Sequence, residues 1–220
     1  MKEDRMSLLK YILVGAIGFG IGGVIWGFIL FRSIPPTVYL PNLFSYTTGG
    51  IALGAVGGAS LASLSMGVKK MLRFALFGAI GFFSGFIITA IISYPLFIFG
   101  SLFVHMFLLG PESYKWEFMF RLKPSLAVGE AVLCFVVAGA IGGFFYGLAE
   151  KKNLGSFALH GAIGFGVGSL IAPVFGNLVE MASNSLLAAY VTTFMIIGVI
   201  LGAFLGRCVY LAEKQTIGQK

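Results

Sequence analysis

Residues 15–22 read GAIGFGIG, and close copies recur twice, as GAIGFFSG at 78–85 and GAIGFGVG at 161–168. A weaker echo follows each copy, as GAVGGA at 54–59, GAIGGF at 139–144, and Gly202 with Gly206 at the matching depth. Self-similarity at such spacing indicates an internal structural repeat. The chain is therefore predicted to consist of three copies of one helical hairpin.

The composition indicates that these hairpins lie in a membrane. The 220 residues are 58% hydrophobic and only 10% charged, whereas soluble domains carry about 25% charged residues. A transmembrane helix needs about 20 apolar residues. Six stretches reach that length, and they run roughly over 8–31, 47–66, 74–98, 125–148, 155–178 and 185–209. The expected fold class is an all-α integral membrane protein with six transmembrane helices.

The predicted repeats cover residues 1–73, 74–153 and 154–220. Each contains two spans, so all three enter the membrane in the same direction, which predicts pseudo-threefold symmetry about an axis along the membrane normal. The second repeat is longer, because 61 residues separate Gly78 from Gly139 whereas 39 separate Gly15 from Gly54. The extra residues, about 99–123, are predicted to form an interfacial helix and turn on the outer face.

The distribution of lysine and arginine predicts the orientation. With the N-terminus inside, 4 basic residues lie outside, namely Arg32, Lys115, Arg121 and Lys123. The other 11 lie inside, namely Lys2, Arg5, Lys10, Lys69, Lys70, Arg73, Lys151, Lys152, Arg207, Lys214 and Lys220. The positive-inside rule then places both termini in the cytoplasm, and the cytoplasmic membrane suits the short loops.

The net charge of +7 would suggest a nucleic-acid partner in a soluble protein, but here the basic residues sit in short gaps between apolar runs, so no nucleic acid is expected. Their first role is to set topology. A compatible second role is binding of anionic lipids at the inner leaflet. The residues expected to contact those lipids are Lys69, Lys70, Arg73, Lys151 and Lys152.

Every predicted span carries a pair of glycines four residues apart. The pairs are Gly18 with Gly22, Gly54 with Gly58, Gly81 with Gly85, Gly139 with Gly143, Gly164 with Gly168, and Gly202 with Gly206. Such pairs lie on one helix face and allow two helices to approach closely. Close helix packing is the expected role, and the alternative that these faces surround a narrow permeation path stays open.

Three residues within the spans are candidates for a role in permeation. Glu130 is placed on the face of its helix opposite Gly139, near the outer end, where a carboxylate at the interface is the alternative. His160 stands where the other repeats carry Val14 and Phe77, and an ordinary interfacial histidine is the alternative. Pro173 is expected to bend the fifth span.

The chain lacks the residue patterns that catalysis requires. It has no HExxH, no GxSxG, no paired carboxylates within a span and no bis-histidine pattern, so we expect neither an enzyme nor a metal or cofactor. Cys134 and Cys208 have no partner pattern either. Two functions remain. A channel or transporter for a small solute or ion is favoured, and a structural or accessory subunit of a larger membrane complex is the alternative. Besides the lipid bilayer, the expected partners are further copies of the chain or other chains of a membrane complex.

Overall fold

The computed structural model describes residues 2–33, 43–64, 67–103, 123–151 and 153–217, with side chains over 7–33, 44–64, 67–92, 132–151 and 153–215. Within these residues it contains six α-helices and no strand, which confirms the predicted all-helical class. In chain order the helices are α1 Lys2–Ser33, α2 Leu43–Ser63, α3 Val68–Phe103, α4 Lys123–Glu150, α5 Leu154–Ser183 and α6 Leu186–Ile217.

The helices α1, α3, α4 and α5 cover their predicted spans and extend beyond them at both ends. The helix α2 is shifted toward the N-terminus, since it begins four residues before its predicted span and stops three residues short of the end of that span. The helix α6 begins one residue after the predicted start. The largest difference is in α3, which continues to Phe103 and so includes the first residues of the predicted insertion. Residues 104–122 lie outside the described part of the chain, and the interfacial helix there stays a prediction.

Five of the helices, α1, α3, α4, α5 and α6, are long and apolar enough to cross a membrane. Multi-pass helical membrane character is thereby supported. The exception is α2, which has 21 residues and is therefore about 30 Å long. Its hydropathy is lower because glycines and hydroxyl side chains replace large apolar residues, as at Ser45, Thr47, Thr48 and Ser60.

The helices form a ring. Each packs extensively against the next in chain order, and α6 closes the ring by packing along α1. Contacts between helices that are not neighbours in the ring are slight and occur chiefly between α2 and α6. Among the described residues, no helix occupies the centre of the ring.

Among the described connections, tight turns join α4 to α5 and α5 to α6 and make these neighbours antiparallel. Lys151 and Asn153 connect α4 to α5 with φ angles of 62° and 48°, and Asn184, with φ of 51°, ends α5. Asparagine tolerates this left-handed conformation better than most residues. The backbone N–H of Asn184 donates to the carbonyl oxygen of Glu180 at 2.8 Å, and the Ser185 hydroxyl accepts from the N–H of Ala188 at 3.2 Å, which caps α6.

The apolar side chains divide between two surfaces. Large apolar side chains such as Ile17 and Met181 point outward and are 61% and 80% exposed, whereas many aromatic side chains, among them Trp26, Tyr146 and Phe165, are buried inside the ring. A bundle that is apolar on its outer surface suits a hydrocarbon surround. We call the end that holds Tyr11 and Glu213 the terminal end, and the other the opposite end.

Candidate functional site

The walls of the ring are built on direct contacts between glycine backbones. A Cβ atom added to Gly15 of α1 would overlap the carbonyl oxygen of Gly202 on α6. The same relationship joins Gly78 on α3 with Gly54 on α2, and Gly161 on α5 with Gly139 on α4. The first glycine of each GAIGF motif thus contacts the preceding even-numbered helix of the ring.

The predicted glycine pairs of the odd-numbered helices face the helix that follows, whereas Gly20, Gly23 and Gly27 of α1 and Gly166 of α5 face the helix that precedes. Gly22 of α1 packs on Leu53 of α2, Gly85 of α3 on Ala138 of α4, and Gly168 of α5 on Ile197 of α6, with added Cβ atoms 2.8–3.1 Å from the nearest atom. All twelve glycines of the six predicted pairs therefore face a neighbouring helix. The even-numbered helices turn their pairs toward the next hairpin, not toward their own partner.

Three phenylalanines meet at the centre of the ring. They are Phe19, Phe82 and Phe165, the fifth residues of the three GAIGF motifs, and each is 0% exposed. The ring centroids of Phe19 and Phe82 are 6.3 Å apart, and those of Phe82 and Phe165 are 5.5 Å apart, both in edge-to-face arrangement. Such pairs are favourable because the edge of one ring meets the face of another. The centre is closed by aromatic side chains.

On the terminal side of this layer, Tyr146 of α4 reaches across the ring. Its ring lies 5.9 Å from Phe19 and 6.3 Å from Phe82 between centroids. Its hydroxyl donates to the carbonyl oxygen of Gly54 on α2 at 2.6 Å. Tyr146 is 0% exposed, so this hydrogen bond lies entirely inside the protein and links two helices that are not neighbours.

On the other side of the layer, Trp26 of α1 is fully buried within a box of aromatic rings. Each of the other five helices contributes one ring. The partners, with centroid distances, are Phe194 at 4.5 Å, Phe86 at 5.1 Å, Phe135 at 6.0 Å, Phe165 at 6.1 Å and Tyr46 at 6.2 Å. Among the described residues, the indole N–H of Trp26 is buried without a hydrogen-bond partner, which is uncommon for a buried donor.

The surroundings of the box include polar groups. The hydroxyls of Thr89 and Ser169 are buried and donate to carbonyl oxygens of their own helices, at 2.6 Å and 2.8 Å. Tyr46 of the box and Tyr190 of α6 are partly buried against the core, and Glu180 is exposed at the opposite end.

The three residues predicted for permeation do not form one cluster. The backbone of α4 places Glu130 in the opposite half of the bundle, but its side chain lies outside the described residues. Nδ1 of His160 is 2.8 Å from the carbonyl oxygen of Ser156, and its ring is 6.5 Å from that of Phe204. Pro173 is exposed, and α5 continues through it as a helix. Their predicted roles stay predictions.

Of the five basic residues expected to contact lipid, two have partners within the protein. Nζ of Lys70 is 2.8 Å from a carboxylate oxygen of Glu150, and the guanidinium of Arg73 donates to the carbonyl oxygen of Leu148 at 3.0 Å. Lys69 and Lys151 are exposed. Lys152 lies outside the described residues.

Sequence reasoning missed the aromatic centre. The signal for the central layer was present, because the phenylalanine of GAIGF recurs in all three motifs. Trp26 carries no such signal, since the equivalent positions hold Thr89 and Ala172. Comparison with models of known protein families, with curated proteins and with solved structures finds no match to the chain.

Proposed function

We propose that the chain is a channel or transporter that carries a small solute or ion along the axis of the helix ring. In this account all six helices, α2 included, cross the membrane as three hairpin repeats around a pseudo-threefold axis along the membrane normal. The glycine contacts support the symmetry, because Gly15, Gly78 and Gly161 each meet the repeat-equivalent glycine of another hairpin. The excess of basic residues at one end supports cytoplasmic termini in the plasma membrane.

The observation that carries the permeation proposal is that side chains, and no described helix, fill the centre of the ring. A helix at the axis would be held by its backbone hydrogen bonds and neighbours. An aromatic side chain changes rotamer far more readily, and hydrophobic constrictions gate several channels by excluding water. Phe19, Phe82 and Phe165 would form such a constriction, and the structure would represent the closed state.

A second candidate is a structural or accessory subunit. It is favoured by the complete burial of the central phenylalanines, which is also what a rigid core without a path requires. In that account the ring is a compact support for other membrane chains or for copies of itself. Neither candidate is catalytic. In both, Lys69 and Lys151 are available to anionic headgroups at the inner leaflet.

A flux experiment separates the two candidates. Purified wild-type protein, Phe82→Ala and the control Phe83→Ala are reconstituted into liposomes, and the entry of potassium, chloride and glycerol is followed. Phe83 is adjacent in sequence but 41% exposed on the outer surface, so it tests for general damage. We expect Phe82→Ala to increase the permeation of at least one solute, while Phe83→Ala matches wild type.

The opposite result is equally informative. If Phe82→Ala elutes as a folded bundle on size exclusion and its liposomes stay as tight as empty ones to all three solutes, the permeation proposal is wrong. Native mass spectrometry from the protein's own membrane then tests the second candidate. Recovery with unrelated chains in fixed stoichiometry would support an accessory subunit, and recovery alone would oppose it.

A further inference from the structure

We infer that the aromatic box around Trp26 is a binding site for small organic cations of the quaternary ammonium type, occupied by the Trp26 indole itself when no ligand is present. The inference deepens the proposed function, on which it rests for the route by which a ligand reaches the box. It assigns a substrate class to the axis of the ring.

The geometry of the box provides the first argument. Five aromatic rings from five helices surround one position on the axis, with centroids 4.5–6.2 Å from that of Trp26. A cation is attracted to the face of an aromatic ring within about 6 Å of its centroid, and cages of such rings recognise quaternary ammonium groups. A quaternary ammonium group has no N–H to satisfy, so an apolar box suits it.

The second argument concerns what holds Trp26 in place. A buried N–H without a partner costs roughly 1–3 kcal/mol relative to one that is hydrogen-bonded. No hydrogen bond is therefore lost when the indole rotates away, and its N–H gains partners wherever it meets water or a carbonyl group. Gly49 of α2 lies against the indole, where an added Cβ would overlap Cδ1 and Nε1. The indole is thus held by packing alone.

The third argument is charge. Glu180 lies near the last turn of α5 at the opposite end and is exposed. A carboxylate at the approach to an aromatic site attracts cations and repels anions. In the proposed function, a ligand that enters from the opposite end would meet this carboxylate, which favours positively charged ligands.

Tryptophan fluorescence tests the inference directly. The chain has two tryptophans, so Trp116→Phe leaves Trp26 as the sole reporter. This variant in detergent is titrated with choline and, separately, with 3,3-dimethyl-1-butanol, the neutral molecule of the same shape. We expect choline to change the emission of Trp26 saturably and to shift it to longer wavelength, and the neutral alcohol to have no saturable effect. No saturable response to choline, or an equal response to both, would overturn the inference.

Matched variants test the role of the rings. Phe135→Leu removes one face of the box while keeping an apolar side chain, and it should weaken choline binding by about fivefold, as expected for the loss of one cation–π contact. Phe83→Leu, outside the box, should bind as the parent does. Phe86→Leu replaces Phe135→Leu if the latter fails to fold. Unchanged affinity in a folded box variant would contradict the proposal.

Failure of this inference and failure of the proposed function have different signatures. Binding in detergent does not require transport. Saturable choline binding in detergent with no flux by any variant would overturn the permeation proposal and support the binding site. Flux through Phe82→Ala liposomes without choline binding would overturn the proposed binding site and support the permeation proposal.

Discussion

The hydroxyl of Tyr146 on α4 donates a 2.6 Å hydrogen bond to the carbonyl oxygen of Gly54 on α2. The two helices are not neighbours in the ring, since α3 lies between them in the packing order. Gly54 also contacts Gly78 of α3 through its backbone. Gly54 of α2 therefore contacts both α3, in the wall of the ring, and the Tyr146 side chain of α4, at its centre. Through these two contacts the positions of α2, α3 and α4 depend on one another.

Tyr146→Phe should lower the stability of the bundle without changing its fold. The substitution removes the hydroxyl, leaves the ring among Phe19, Phe74 and Phe82, and leaves a carbonyl oxygen that is still bonded within its helix. The expected loss is about 1 kcal/mol, typical of one buried hydrogen bond. Thermal unfolding in detergent measures it, with Tyr190→Phe as the control because that ring is only partly buried. Equal stability of Tyr146→Phe and wild type would show that the bond contributes nothing.

The glycine contacts predict that alanine lowers the stability of the bundle at the three positions where a Cβ atom would meet a neighbouring helix. Gly15→Ala, Gly78→Ala and Gly161→Ala each place a methyl group against a backbone or side chain that cannot move freely. We expect each to lose about 1–3 kcal/mol, the usual cost of an overpacked site. The three losses should be similar, because the three positions are equivalent in the repeat. Unfolding in detergent again provides the measurement.

Two other glycines serve as controls for this series. A Cβ atom on Gly67 or Gly155 would meet no atom within 4 Å. Gly155→Ala lies within α5, where alanine is the better helix former by up to about 1 kcal/mol. It should be neutral or stabilising. If Gly155→Ala were as damaging as Gly15→Ala, the close approach of helices would not be the reason for glycine at these positions.

The predicted orientation is open to a separate test. Green fluorescent protein fused after Lys220 should fluoresce in bacterial cells, because the C-terminus is expected in the cytoplasm. Alkaline phosphatase, which needs an oxidising compartment for its disulfides, should be active when fused after Thr37 and inactive when fused after Lys220. Phosphatase activity of the C-terminal fusion would show that the topology is the reverse of the predicted one.

Much of this fold follows from repetition and hydropathy alone. The apolar stretches give six helices with ends near those observed, and the equivalence of the helices that carry the three GAIGF motifs stays a prediction. Such signals are strong because a span must be long and apolar over its whole length. The departures lie at helix ends, as at α3, where apolar residues continue past the predicted boundary to Phe103.

The neighbours of each helix could not be predicted in the same way. A glycine pair indicates that a helix packs closely against another helix. The sequence around Gly139 does not indicate whether that other helix is α3 or α5. The structure places Gly139 against Gly161 of α5. The aromatic box could not be predicted either, since its five rings come from five helices and Trp26 has no repeat-equivalent aromatic residue. Assembly in three dimensions creates it.

The central claim is that three equivalent phenylalanines close one axial path. Single-channel recording in planar bilayers tests it most directly, with Phe19→Ala, Phe82→Ala and Phe165→Ala measured beside wild type and Phe83→Ala. We expect each of the three central variants to open a conductance of similar size, while wild type and Phe83→Ala are silent or open rarely. Silence of all three folded variants, or a conductance in only one of them, would contradict the claim.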